Sequence, residues 1–120
     1  MLKFIFFSIK SILSYLTIIP ESPSRLALTG LGETAIINGI ADKRIIVIGL
    51  FGSNEGALLT RVDLRDGLAG SIIYSAAMAA NGGGFSHQPN RTWRLGLGRS
   101  LTAQLSVASN SFVTAEYYWE

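Results

Sequence analysis

The sequence contains no cysteine, a single histidine, three prolines and little charge. With no thiol, neither a disulfide framework nor a thiolate zinc site can form. His87 has no second histidine and no nearby carboxylate cluster to complete a metal shell. No metal and no cofactor is therefore expected. Asp, Glu, Lys and Arg make up 15% of the residues, against about 25% in an ordinary soluble domain. Such a composition implies that partners cover much of the surface, or that part of the chain meets lipid. The ten Lys and Arg include Lys3 and Lys10, and the eight that remain are cancelled by the eight Asp and Glu. Nucleic-acid binding needs clustered Lys and Arg, so no nucleic-acid partner is expected.

Catalytic patterns are missing as well. There is no G-x-S-x-G elbow, since Gly96-Leu97-Gly98-Arg99-Ser100 has the wrong order. Gly82-Gly83-Gly84 would cradle a phosphate only with a helix directly after it. Phe85-Ser86-His87-Gln88-Pro89 follows instead and does not start one, so a flexible loop through positive φ is expected. Asp63 and Asp66, with Arg61 and Arg65, could form a glycosidase-like carboxylate pair, but Asp66-Gly67 reads as a turn and mixed charge is common on surface strands. A hydrolase would require His87 to converge with Asp63 or Asp66; a histidine on a surface loop is the simpler expectation. Asn90-Arg91-Thr92 matches a glycosylation sequon, which matters only in a eukaryotic secreted protein. The expectation is a protein that is not an enzyme.

What the sequence does have is a β-rich body behind an apolar start. Arg44-Ile45-Ile46-Val47-Ile48-Gly49-Leu50-Phe51 holds six large apolar residues between Asp42-Lys43 and Gly52-Ser53-Asn54. So short a run bounded by turn residues predicts a central strand covered on both faces. Thr34–Ile40 precedes it, and the short Ala41-Asp42-Lys43 connection predicts that the two pair as a hairpin. Ala57–Leu64 alternates in part, with Leu58, Thr60, Val62 and Leu64 on one face and Leu59, Arg61 and Asp63 on the other; then Trp93, Leu95 and Leu97 alternate with Thr92 and Arg94, and Leu101, Ala103, Leu105 and Val107 with Thr102, Gln104 and Ser106. Turns recur about every eight to twelve residues, the signature of an all-β sandwich or barrel. The expected fold is all-β: a jelly-roll-like β-sandwich of about eight short strands over residues 34–120. Residues 20–33, with Pro20, Pro23, Gly30 and Gly32, read as a linker.

Residues 1–19 (MLKFIFFSIKSILSYLTII) form a separate apolar arm, helical or extended. Lys3, Lys10, Ser14 and Thr17 fall along one stripe of a helix. A signal peptide would need a small-residue cleavage site, which Ile18-Ile19-Pro20-Glu21 does not supply. A transmembrane span would carry Lys10 near its middle at about 2.5–3.5 kcal/mol. An amphipathic helix on a partner or membrane surface accounts for the stripe directly. Membrane contact through residues 1–19 stays open. Phe4, Phe7, Ile12 and Leu16 are the expected contact residues of this arm.

The second aromatic group is Tyr117-Tyr118-Trp119, near the end of the final strand. Three consecutive strand residues cannot share a face, so at least one aromatic leaves the domain's own core. Tyr117, Tyr118 and Trp119 are accordingly candidate interface residues. Trp93 alternates with Leu95 and Leu97 and is expected in the core. An alternative use of Trp93 or the Tyr117–Trp119 cluster is sugar stacking, in an envelope-anchored or secreted carbohydrate-binding module.

From Thr34 onward the order of features resembles the small β-sandwich structural proteins of tailed bacteriophages, of the capsid-decoration or tail-accessory kind. Ala41-Asp42-Lys43-Arg44-Ile45-Ile46-Val47-Ile48 is similar to their strand-opening pattern, with Asp42 where the pattern usually has Gly. Leu68-Ala69-Gly70-Ser71, Ala79-Ala80-Asn81-Gly82-Gly83-Gly84, Gly98-Arg99-Ser100-Leu101-Thr102-Ala103-Gln104-Leu105-Ser106 and the closing Phe112–Trp119 strand carry the rest of the likeness. Residues 1–30 have no counterpart in it. The resemblance implies a non-enzymatic virion component that self-assembles, with a trimer favoured, and contacts other virion proteins. It supplies no catalytic residue.

Overall fold

The structure, a computed structural model, describes residues 23–90 and 92–120; the arm, with Phe4, Phe7, Ile12 and Leu16, lies outside the described residues. Among the described residues there are nine strands: β1 (Ser24–Leu28), β2 (Thr34–Ile37), β3 (Ile45–Asn54), β4 (Thr60–Asp66), β5 (Ser71–Met78), β6 (Gly83–His87), β7 (Trp93–Arg94), β8 (Leu101–Leu105) and β9 (Ser111–Trp119). They form two antiparallel sheets. Sheet A has the order β1-β9-β3-β6, with β7 also on β3; sheet B has the order β2-β8-β4-β5. The chain changes sheet at every connection except β4–β5 and β6–β7. This alternation is the jelly-roll connectivity, and the ninth strand is the two-residue β7.

Period two along each strand builds the interior. Leu28, Ile45, Val47, Leu50, Val113 and Ala115 from sheet A meet Ile37, Val62, Leu64, Met78, Leu101, Ala103 and Leu105 from sheet B in one buried cluster. Each large aliphatic side chain there contributes about 1.5–3 kcal/mol by leaving water. As its apolar run implied, β3 is central: it pairs with β9 along one side and with β6 and β7 along the other. Ile46, on the opposite face from Ile45 and Val47, is also fully buried but stands outside the core cluster.

Several local expectations are corrected. Thr34–Ile40 and the central strand do not form a hairpin, because β2 pairs with β8 and β3 with β9. Ala41-Asp42-Lys43 instead turns a corner between the sheets, with Asp42 at φ 64° and Lys43 N–H donating to the Ile40 carbonyl at 3.1 Å. Within the stretch read as a linker, Ser24–Leu28 forms a strand whose residues pair with Ser111–Ala115. The reason is visible in SRLAL: Leu26 and Leu28 point toward the core while Arg25 and Ala27 stay exposed. The triple glycine is a turn running into a strand. Asn81 and Gly82 take left-handed backbone (φ 59° and 103°), whereas Gly83 and Gly84 open β6. A side chain at Gly84 would strike the Gly52 carbonyl across the ladder, so close strand approach demands glycine there.

Candidate functional site

His87 sits on β6, half-buried, and not on a surface loop. Its ring stacks on Tyr74 (centroids 4.4 Å) and on Trp93 (5.2 Å), and Tyr74 also meets Phe85 at 5.7 Å. Tyr74 comes from the outer strand of sheet B and the other three rings from sheet A, so the cluster closes the gap between the sheets along that side. Asp63 lies on the opposite, outward face of β4, next to the inward Val62 and Leu64, and Asp66 bonds the Gly96 N–H at 3.1 Å. Asp63 and His87 therefore do not converge: His87 faces between the sheets and Asp63 faces away from them, while both Asp66 oxygens are taken up by the Gly96 N–H. No group of three or more His, Asp or Glu able to hold a metal occurs among the described residues.

The Tyr117–Trp119 run divides as period two requires. Tyr117 and Trp119 turn inward, edge to face at 5.8 Å, and pack against the core. Tyr118 points outward, paired with Ile46 in the ladder. The same outward face of sheet A carries Phe51, Phe112, Thr114 and Arg25. The Arg25 guanidinium lies 4.2 Å from the centre of the Phe112 ring, and a shallow depression of about 120 Å³ opens between these residues. Phe51 is 42% exposed. This is an aromatic face whose charges include Arg25, Arg94 and Glu116.

Four strands border the two sheets, and they are protected unequally. β1 carries Arg25 and follows Pro23; β2 has four residues and a register break between Ala35 and Ile37; β6 precedes Pro89. Charge, proline, bulges and shortness are the devices that keep edges from pairing. The eight residues of β5, Ser71-Ile72-Ile73-Tyr74-Ser75-Ala76-Ala77-Met78, contain no charge, proline or glycine. Ile72 is 50% exposed, and Leu68 in the preceding turn 76%. β5 has a register break too, where Tyr74 and Ile72 oppose Leu64 and Arg65, but it is the longest of the four borders and carries no charge or proline.

The outward face of sheet B is polar. Arg61 grips Asp63 with two bonds, Nε to Oδ1 at 3.0 Å and Nη2 to Oδ2 at 3.2 Å, and Ser75 Oγ donates to Oδ1 at 2.6 Å. Burial pushes the Asp63 carboxyl up, but hydrogen bonds from Arg61 and Ser75, with the charges of Arg61 and Arg65, outweigh it and hold the carboxyl below its ordinary range. Glu33 accepts from Ala69 N–H and from Thr102 Oγ1 at 2.8 Å. Arg65 gives Nη1 to the Gly70 carbonyl at 2.9 Å, but its Nε is 3.7 Å from Glu33, too far for a hydrogen bond, and is buried without a partner. Sequence reading treated Arg61, Asp63 and Arg65 as incidental surface charge. The signal available was their i, i+2, i+4 spacing, which puts all three on one strand face.

No protein-family model matches the chain, and no curated protein does. Among solved structures, the chain is similar to a structure from Bacillus endospore appendages, which form a family of disulfide-linked pili. The TM-score is 0.51 and the identity 11%, over 83% of this chain and 86% of that one. A PirA structure aligns with TM-score 0.47 and 13% identity, over 82% and 94% of the two chains. The VP2 subviral particle of infectious bursal disease virus gives 0.25 and 11%, over 85% of this chain and 32% of that one. At these identities the likeness to the pilus structure is one of fold alone.

Proposed function

We propose that this chain is a non-enzymatic structural subunit that assembles with copies of itself into a surface appendage or shell, with a bacteriophage virion as the setting. The observation that carries the reading is β5: the longest border strand, free of charge and proline and interrupted by a single register break. The aromatic outward face of sheet A, with Tyr118 and Phe51, offers a second contact area, and the apolar arm docks on a neighbouring copy. A fold shared with a pilus structure supports the reading without specifying it. Those pili are disulfide-linked; this sequence has no cysteine, so no disulfide links its copies. Trp93 spends ring surface on His87, which leaves sugar stacking there without a supporting observation.

Light scattering behind size exclusion tests the proposal on the full chain and on Ile72→Lys. The full chain should elute as a multimer, and a lysine on the β5 border should broaden its mass distribution while circular dichroism stays unchanged. A full chain that is monomeric at high concentration rejects the proposal.

A further inference from the structure

The polar face of sheet B holds a depression of about 440 Å³ lined by Leu31, Arg61, Asp63, Arg65, Gln104 and Ser106, among others. Its hydrogen-bonding capacity is unevenly spent. The carboxylates are largely committed: Asp63 takes two bonds from Arg61 and one from Ser75, and Glu33 takes Ala69 N–H and Thr102. The donors are not. A guanidinium has about five N–H groups; Arg61 commits Nε and one Nη2 hydrogen to Asp63 and leaves Nη1 open, and Arg65 commits only Nη1. Gln104 gives one N–H to the Leu31 carbonyl at 3.1 Å and keeps its other N–H and its oxygen. Ser106 Oγ accepts the Arg61 N–H at 3.0 Å and keeps its hydroxyl proton.

Surplus donors around fixed guanidinium groups select an oxyanion, and the planar fork selects a carboxylate. We infer that this depression binds the carboxylate of an acidic sugar, a hexuronate. Arg61, held in orientation by Asp63, meets the carboxylate through its open edge. Gln104 lies opposite Asp63 in the ladder, and Ser106 adjoins Arg61. Both can donate and accept, as ring hydroxyls require. Leu31, 55% exposed on the β1–β2 loop, gives the C–H face of a sugar ring an apolar wall. The site stands on a different face from Tyr118 and Phe51, so it is independent of the aromatic contact area.

The test is a titration of the isotopically labelled full chain with glucuronate, glucose and glutamate, read by NMR on the backbone amides and the arginine Nε–H groups. Glucuronate should shift Arg61, Gln104 and Ser106 together, glucose should do nothing, and glutamate should bind more weakly. Arg61→Lys keeps the charge, loses the fork and should weaken glucuronate about tenfold. Gln104→Ala, which breaks no partner's only bond in the core, should weaken it severalfold. No shift at tens of millimolar glucuronate overturns the inference, and so does equal response to glucose. Equal binding of glutamate and glucuronate overturns the sugar assignment.

Discussion

Replacing Asn54 with alanine should remove a large part of the stability of this domain. Asn54 ends β3 and is fully buried. Its Nδ2 donates to the carbonyls of Leu58 (2.7 Å) and Met78 (3.1 Å), while Oδ1 accepts from Gly56 N–H (3.0 Å) and Ser109 Oγ (2.7 Å). One amide thus ties together the β3–β4 loop, the end of β5 and the β8–β9 loop. Truncation to alanine leaves two carbonyls, one backbone N–H and one hydroxyl seeking partners. The hydroxyl can turn and a water can reach some of the rest. At about 1–3 kcal/mol for each buried group left unpaired, a cost of about 3–5 kcal/mol is expected. A domain of this size has about 5–15 kcal/mol in total. Urea unfolding followed by fluorescence of Trp93 and Trp119 should show the midpoint falling by about 2 M, with a slope near 2 kcal/mol/M. Asn54→Asp keeps the acceptors but aims a carboxylate at two carbonyls, so it should be at least as damaging at neutral pH and partly recover as acid protonates it. A midpoint change under about 0.5 M for Asn54→Ala would refute the reasoning, because the loops would then be held by something other than this amide.

Acid should weaken the fold partly through Asp63. Its carboxyl is held below its ordinary value in the folded state, so the stability it contributes is present above the unfolded value, about 3.9, and is lost as pH falls through the folded one. Thermal melts from about pH 5 downward should show a shallower acid limb for Asp63→Asn than for the parent, and identical limbs would remove Asp63 from the account. Gly52→Ala should destabilise by about 1–3 kcal/mol, since the new methyl would strike the Phe85 ring that packs beside Tyr74. Pairing it with Phe85→Leu should recover part of the loss in the urea midpoint; no recovery would mean that the ring is not the obstacle.

Much of the fold could be read locally, and what could not be read was non-local. Ile45–Phe51 declares itself by β-branched density, and β4 and β8 declare their inward faces by alternation. Nothing in Ile37 announces Leu101 as its partner, and nothing in Asn54 announces Ser111. Proximity in sequence misleads in a jelly roll, where nearest neighbours along the chain mostly sit in opposite sheets. That is why Ala41-Asp42-Lys43 read as a hairpin turn. β1 hid between Pro23 and Gly30 because five residues carry too little periodic signal. Asn54 read as a turn residue after the central strand, since its chemistry fits a turn and its burial depends on three distant segments. His87 read as a loop residue because the rings that enclose it come from Tyr74 and Trp93. That at least one of Tyr117, Tyr118 and Trp119 leaves the core was legible, because it follows from strand geometry alone; that it is Tyr118 depends on which face β9 buries.

Border pairing through β5 cannot hold an assembly by itself, and this fixes the division of labour between border and arm. A pair of eight-residue strands gains about half its backbone groups as new hydrogen bonds, each worth about 0.5–1.5 kcal/mol net. Association costs about 4–15 kcal/mol in lost freedom, so the border contributes register more than affinity. The arm has about ten large apolar side chains, each worth about 1.5–3 kcal/mol if fully buried on a neighbour, before ordering costs. Affinity should therefore reside in residues 1–19 and geometry in β5. Removing residues 1–19 should convert a stable multimer into a weak, concentration-dependent one, whereas Ile72→Lys on the full chain should leave association strong but irregular, with a broad mass distribution by light scattering. If the truncated chain forms the same multimer with undiminished affinity, the arm has no docking role and the border alone must be stronger than backbone pairing allows.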